Sequence, residues 1–178
     1  STSRRQRQMC IRDSYGADRS KIYSYSFTSL KSKDILNTLP GENEKAILRK
    51  KLGMKNNKII LSVGRFTYNN GYGKGFDILL DTMTMLNEDY SLYIVGDKPT
   101  QEFIELKQKL KLKNVYFEGF KTKDELKEYY KAADLFCLQT RGDVWGLVIN
   151  EAMSNGLPII TSDKCVAGLE LVDEGGNG

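Results

Sequence analysis

Histidine is absent from the 178 residues. The chain therefore has no imidazole general base, no histidine metal ligand and no Ser-His-Asp triad. Its chemistry falls to carboxylates, lysines and arginines, or to residues that a missing segment supplies. Cysteine is scarce. Cys10, Cys137 and Cys165 form an odd set without a CxxC spacing, which predicts reduced thiols in a cytoplasmic protein. Cys137 lies in an apolar run and is expected to be a buried thiol. No run approaches the roughly eighteen apolar residues that a membrane-spanning helix needs. The first residues are polar and basic, with no apolar signal segment after them. Charge of one sign is also in short supply. Of the net +4, residues 1–13 supply +3 through Arg4, Arg5, Arg7 and Arg12 against Asp13. The remaining +1 argues for no nucleic-acid partner.

What is present reads as a globular domain. The chain is 40% hydrophobic, 10% aromatic and 28% charged, and its length fits one domain. Residues 1–14 show neither helical nor strand period. Their stretch Met9-Cys10-Ile11-Arg12-Asp13 matches a translated transposase-end adapter, so this segment is expected to be non-native or disordered. Residues 22–30 alternate and are rich in tyrosine, which predicts a strand. Residues 32–39 read as a turn before Pro40-Gly41. Residues 42–52 have helical spacing, with Ala46, Ile47 and Leu52 on one side and Gly53 as a C-terminal cap. From there short apolar runs at 58–63, 91–95, 114–117, 134–138 and 157–161 alternate with helical patterns at 76–86, 101–110, 122–132 and 146–155. Thr122 and Glu125 have capping-box spacing. Residues 168–178 show no further element.

Alternation of this kind predicts an α/β fold, a Rossmann-like doubly wound parallel sheet. Right-handed crossovers place every strand's carboxyl end along one edge, where ligands bind. The loops to inspect follow Val63, Val95, Phe117, Leu138 and Thr161. The first holds Gly64-Arg65 and Gly73-Lys74-Gly75, two cations suited to phosphate. It is neither a Walker loop, since Lys74 precedes Gly75, nor a GxGxxG fingerprint. The loop after Leu138 places Asp143 ahead of a helix and Glu151 inside it, eight positions on. Backbone N–H groups at Gly146 and Leu147 open that helix at the binding edge. Flanking carboxylates can accept hydrogen bonds from vicinal sugar hydroxyls.

These residues resemble a known family. DVWGLVINEAMSNGLPIITSD, from Asp143 onward, is similar to the acid-x7-acid signature of the retaining glycosyltransferases of family four, which have the GT-B fold. SVGR, KGFDILL, IVGD, VYFEGF and ELKEYYKAADLFCLQT follow in the family's order, and the likeness covers roughly residues 58–171. It is nearest to enzymes that build capsular and exopolysaccharide. The resemblance implies that Arg65 and Lys74 hold the donor diphosphate and that Glu151 binds the ribose hydroxyls. It implies that Asp143 contacts the donor sugar. Gly64, Trp145, Gly146 and Leu147 would border the donor, and Gly119-Phe120-Lys121 would line the base. No metal is expected, and no cofactor beyond the nucleotide-sugar donor. Asp143 stands where the signature usually has Glu, and the Arg65–Lys74 spacing is longer than usual.

The resemblance also implies a division of the chain. Residues 15–40 are expected to end an N-terminal acceptor domain and its linker, and 41–178 to form an incomplete donor domain. A glycan or lipid-linked acceptor would sit on the missing domain, with peripheral membrane association of the parent enzyme. The isolated chain is expected to bind donor weakly and to be inactive. Two other classes compete: a non-catalytic nucleotide-binding Rossmann module, and a flavodoxin-like interaction domain. Neither accounts for an acidic pair at a helix that opens on the sheet edge.

Overall fold

The computed structural model describes Asp18, Ser20 and residues 28–178. Five strands form one sheet: β1 (Lys58–Val63), β2 (Tyr90–Val95), β3 (Val115–Glu118), β4 (Leu135–Leu138) and β5 (Ile159–Thr161). Their order is β3-β2-β1-β4-β5, and every neighbouring pair is parallel. The register aligns Val63 with Val95 and Val95 with Glu118, so the carboxyl ends of β1, β2 and β3 finish level. Strand order reverses at β1, between its neighbours β2 and β4, and a crevice opens at such a point.

Helices cover both faces: α1 (Glu42–Lys51), α2 (Phe76–Met83), α3 (Gln101–Lys109), α4 (Lys123–Ala132), α5 (Leu147–Ser154) and α6 (Val166–Leu171). Alternate side chains of each strand point to opposite faces. Ile59, Leu61, Val63, Tyr93, Val95, Phe136 and Leu138 join one core with Tyr129 and Tyr130 of α4 and Ile149 and Ala152 of α5. Leu92, Ile94, Val115 and Cys137 join a second core with Phe76, Leu79, Leu80 and Met83 of α2 and Phe103 of α3. Burial on both faces is why the strands read as continuous apolar runs. Cys137 is buried as expected, and Thr122 with Glu125 forms the capping box of α4.

Several boundaries differ from the sequence pattern. In α1, Ile47 is 70% exposed, while Leu48 packs on the core and Arg49 is buried. Periodicity counts apolar residues, yet here the inward face includes an ion pair. Arg49 Nε donates to the Ala132 carbonyl at 2.9 Å, and its Nη2 meets Asp134 Oδ2 at 2.8 Å. β3 starts one residue late and runs through Glu118. No further element is expected in residues 168–178, yet Val166–Leu171 form α6. Its signal was hidden because it is short, has no polar side-chain cap, and carries a helix-weakening glycine, Gly168, buried against Thr161. Most of the strand expected at 22–30 lies outside the described residues, and 28–30 form no strand. The segment 1–14 also lies outside them. Ser32–Asp34 is a single 3-10 turn.

Candidate functional site

A cavity of about 810 Å³ opens at the carboxyl edge of the sheet. That volume falls within the roughly 300–1,000 Å³ of small-molecule sites. Four loops build it. Gly64, Arg65 and Lys74 come from the connection after β1, and Gly96 and Asp97 from the end of β2. Phe120 and Lys121 come from the connection after β3, and Asp143, Trp145, Gly146 and Leu147 from the one after β4. Nine of the predicted site residues thus share one cavity wall. Gly119 is exposed beside it but is not part of the lining.

The connection after β1 is not a random loop. Tyr68–Lys74 winds in 3-10 turns broken by left-handed backbone at Asn69 (φ 50), Asn70 (φ 50) and Gly71 (φ 85). Two anchors fix its ends. Asp97, at the end of β2, accepts from the Phe66 N–H and from the Thr67 N–H (3.2 Å) and hydroxyl (2.7 Å). Burial pushes the Asp97 carboxyl up, but the Thr67 hydroxyl and the backbone donors outweigh it and hold it below the ordinary carboxylate range. At the other end the chain reaches Gly75 in the left-handed region (φ 71). A Cβ there would lie 1.8 Å from the Gln139 carbonyl oxygen, so the two loops pass backbone to backbone.

Lys74 and Asp143 meet directly. Lys74 Nζ lies 2.6 Å from Asp143 Oδ2, and both side chains are less than a fifth exposed. The other oxygen, Asp143 Oδ1, accepts from the Trp145 N–H at 3.2 Å, just ahead of α5. Gly146 caps that helix with φ 90, and Cys165 packs so close behind it that no Cβ fits. Trp145 is held by its indole N–H, which donates to Asn150 Oδ1 at 2.8 Å, and by its carbonyl, which accepts from Ala167 N–H at 2.7 Å. Arg65 is exposed at the rim. Lys121 lies 3.3 Å from Glu118 and over the Tyr129 ring. Phe120 is 82% exposed. The cavity therefore offers three cations (Arg65, Lys74 and Lys121), two carboxylates (Asp97 and Asp143) and a helix N-terminus around one volume, with an aromatic ring at its mouth.

Glu151 is placed apart from this group. It sits one turn into α5 and lines an adjoining cavity of about 190 Å³ with Asp34, Lys123, Tyr130 and Asn155. Leu126 of α4 lines both cavities, so they adjoin at its side chain. Burial raises the Glu151 carboxyl above its ordinary range, against the lowering effect of the Tyr130 hydroxyl that donates to it at 3.0 Å. Burial and the nearby Glu151 raise Tyr130 well above its own ordinary value.

Sequence reasoning gave no role to Asp97, Tyr130, Arg141 or Asp77. Asp97 carried a usable signal, an acid directly after a buried strand at the binding edge. Arg141 and Asp77 carried none, since their pairing joins residues 64 positions apart. Among the described residues no group of three or more His, Cys, Asp or Glu side chains is placed to hold a metal ion. No helix among them is long and apolar enough to cross a membrane.

Fold and site together define an α/β domain with a ligand crevice at a topological switch point, lined by phosphate-type cations. The family follows from comparison. The model of Glycosyl transferases group 1 matches residues 44–178, and the chain belongs to that family. An uncharacterised glycosyltransferase of Methanocaldococcus jannaschii is 34% identical over 141 residues, covering 76% of this chain and 35% of that protein. The lipopolysaccharide glucosyltransferase WaaG of Escherichia coli K12 is 30% identical over 125 residues, covering 69% and 33%. The crystal structure of a WaaG involved in lipopolysaccharide biosynthesis superposes with a TM-score of 0.67 at 26% identity, covering 81% of this chain and 39% of that one. Anabaena HepE, solved with UDP and glucose, gives 0.64 at 25% identity, covering 81% and 37%. These neighbours are GT-B glycosyltransferases, and the observed sheet is the Rossmann-like one expected. The chain spans about a third of the length of the curated relatives it matches.

Proposed function

We propose that the chain is the donor-binding half of a retaining GT-B glycosyltransferase. The parent protein transfers a hexosyl group from a nucleoside diphosphate sugar to a glycan or lipid-linked acceptor during polysaccharide assembly. The observation that carries this proposal is the Lys74–Asp143 pair with Arg65 at the rim of one cavity. A cation for the leaving group thus sits within hydrogen-bond reach of a carboxylate that can take sugar hydroxyls. Relatives in lipopolysaccharide and capsule-region proteins, and a neighbour solved with UDP-glucose, support the substrate class.

In this mechanism Arg65 and Lys74 hold the diphosphate. As the bond from the anomeric carbon to phosphate oxygen breaks, its electron pair moves onto that oxygen, and the two cations stabilise the charge. An acceptor hydroxyl attacks from the same face, and its proton passes to the departing phosphate oxygen. No metal is required where two cations already face the developing charge. Asp143 orients the sugar. Glu151 takes the ribose hydroxyls where the two cavities adjoin beside Leu126, and Phe120 with Gly119 and Lys121 borders the base. The acceptor belongs to an N-terminal domain of the longer protein, acting at the cytoplasmic face of the membrane, with residues 15–40 as the link.

Trp145, the one tryptophan of the chain, lines the cavity and serves as a built-in probe. Titration of the chain with UDP, GDP, UDP-glucose and GDP-mannose should change its fluorescence with saturation, weakly and into the millimolar range. Arg65→Ala and Glu151→Ala should each weaken the tightest of these ligands about tenfold or more, the scale of a lost charge-assisted contact. If both variants bind as the unchanged chain does, the donor-site assignment is wrong.

A further inference from the structure

The connections after β1 and β4 meet at successive positions. The Gln139 carbonyl backs onto Gly75. The Thr140 hydroxyl donates to the Gly73 carbonyl at 2.9 Å, and the Arg141 N–H donates to the same oxygen at 2.9 Å. The Arg141 guanidinium then reaches both sides of Lys74. Its Nη1 donates to the Tyr72 carbonyl at 2.7 Å, and Nη1 and Nη2 together clamp the Asp77 carboxylate at 2.7 Å each. Asp143 closes the sequence on Lys74 itself.

We infer that Arg141 is a positioning residue for Lys74, and through it for the anionic part of the ligand. It is not part of the cavity lining, so any effect it has on binding acts through what it holds. The inference rests on the assignment of Lys74 to the donor phosphates. Residues 69–71 have left-handed backbone, and no strand ladder fixes the path that leads to Lys74. The Tyr72 and Gly73 carbonyls lie just before Lys74, and Asp77 lies in the first turn of α2 just after it. One planar fork bridges the two. Its geometry matches a carboxylate and a carbonyl at once, and a lysine ammonium cannot reproduce it. The Arg141 side chain is 46% exposed, so the pair adds little to global stability. Its consequence is geometric: it sets where the Lys74 ammonium stands relative to Asp143 and the cavity.

The test compares UDP with uridine, which lacks the phosphates, on the whole chain by Trp145 fluorescence. Arg141→Ala should weaken UDP about tenfold, leave uridine unchanged and leave the urea midpoint unchanged. Arg141→Lys should fall close to Arg141→Ala, and Asp77→Asn should shift UDP affinity in the same direction by a smaller factor. Lys74→Ala should weaken UDP at least as much, and adding Arg141→Ala to it should cost nothing further. Equal losses for UDP and uridine, or full additivity of Arg141→Ala with Lys74→Ala, would overturn the positioning role. So would UDP affinity unchanged by Arg141→Ala and Asp77→Asn while Lys74→Ala loses it. If Lys74→Ala itself leaves UDP binding intact, the donor-site assignment fails first and takes this inference with it.

Discussion

Replacing Gly75 by alanine separates two demands made on one residue. Its φ of 71° is one demand, and the backbone of Gln139 is the other. An L-residue in the left-handed region costs about 1–2 kcal/mol. The added Cβ would stand 1.8 Å from the Gln139 carbonyl oxygen, whereas real Cβ contacts do not fall below 3.0 Å. The two connections must therefore part by more than an ångström, and backbone cannot yield as a side-chain tip does. Overpacking of that kind adds about 1–3 kcal/mol. Gly53 supplies the control. It has a φ of 67° and nothing within 4 Å of an added Cβ. Gly53→Ala should cost only the conformational part, about 1–2 kcal/mol, and leave UDP binding untouched. Gly75→Ala should cost about 2–5 kcal/mol and also weaken UDP, because Lys74 is the adjacent residue. Urea unfolding gives the first quantity from the shift in midpoint at constant slope. Trp145 titration gives the second. Equal destabilisation by the two substitutions, with UDP affinity kept in Gly75→Ala, would refute the close-approach argument.

Three further outcomes are expected. Asp134 accepts from the Ile59 N–H, Lys45 and Arg49, and these contacts outweigh its burial and depress its pKa in the folded state. Its stabilisation is therefore present above the unfolded value of about 3.9 and lost as pH falls through the folded one. Asp134→Asn should cost about 3 kcal/mol at neutral pH and flatten the acid limb of a stability–pH curve measured by urea melts. Glu151 shows the opposite shift, since burial raises it. Uridine affinity should decline on acidification from a pH above the ordinary carboxylate range of about 4.3, and Glu151→Gln should abolish that dependence in a fluorescence titration. Asp97→Ala frees the Phe66 and Thr67 anchors next to Arg65. It should weaken UDP about tenfold while leaving uridine nearly unchanged, a split that equal losses would contradict.

Local pattern made much of the fold legible because each sheet strand is buried on both faces. A strand such as Lys58–Val63 then needs only an apolar run, and its flanking helices need one apolar stripe. The pattern failed where burial was polar or short. Arg49 turned α1 by its ion pair with Asp134, and α6 lacks the length and caps that would have revealed it. In the site, Arg65, Lys74 and Asp143 were legible from residue type and from their place after strands.

By itself the sequence determined the alternation of strands and helices, the lack of histidine in these 178 residues, and that Arg65, Lys74 and Asp143 stand at the carboxyl edge. These follow from composition and from periods of two and 3.6 residues, which act over short distances along the chain. Only the tertiary structure decided that Lys74 pairs with Asp143, 69 positions away, and that Arg141 spans both sides of Lys74. It also set Glu151 in a second cavity that adjoins the first at Leu126. Spacing along the chain puts Asp143, ahead of α5, eight residues before Glu151 inside it, but does not say which loop each carboxylate meets. That depends on how the connections after β1, β3 and β4 converge at one sheet edge. The convergence is set by strand order and by close backbone contacts such as Gly75 against Gln139, which no local pattern records.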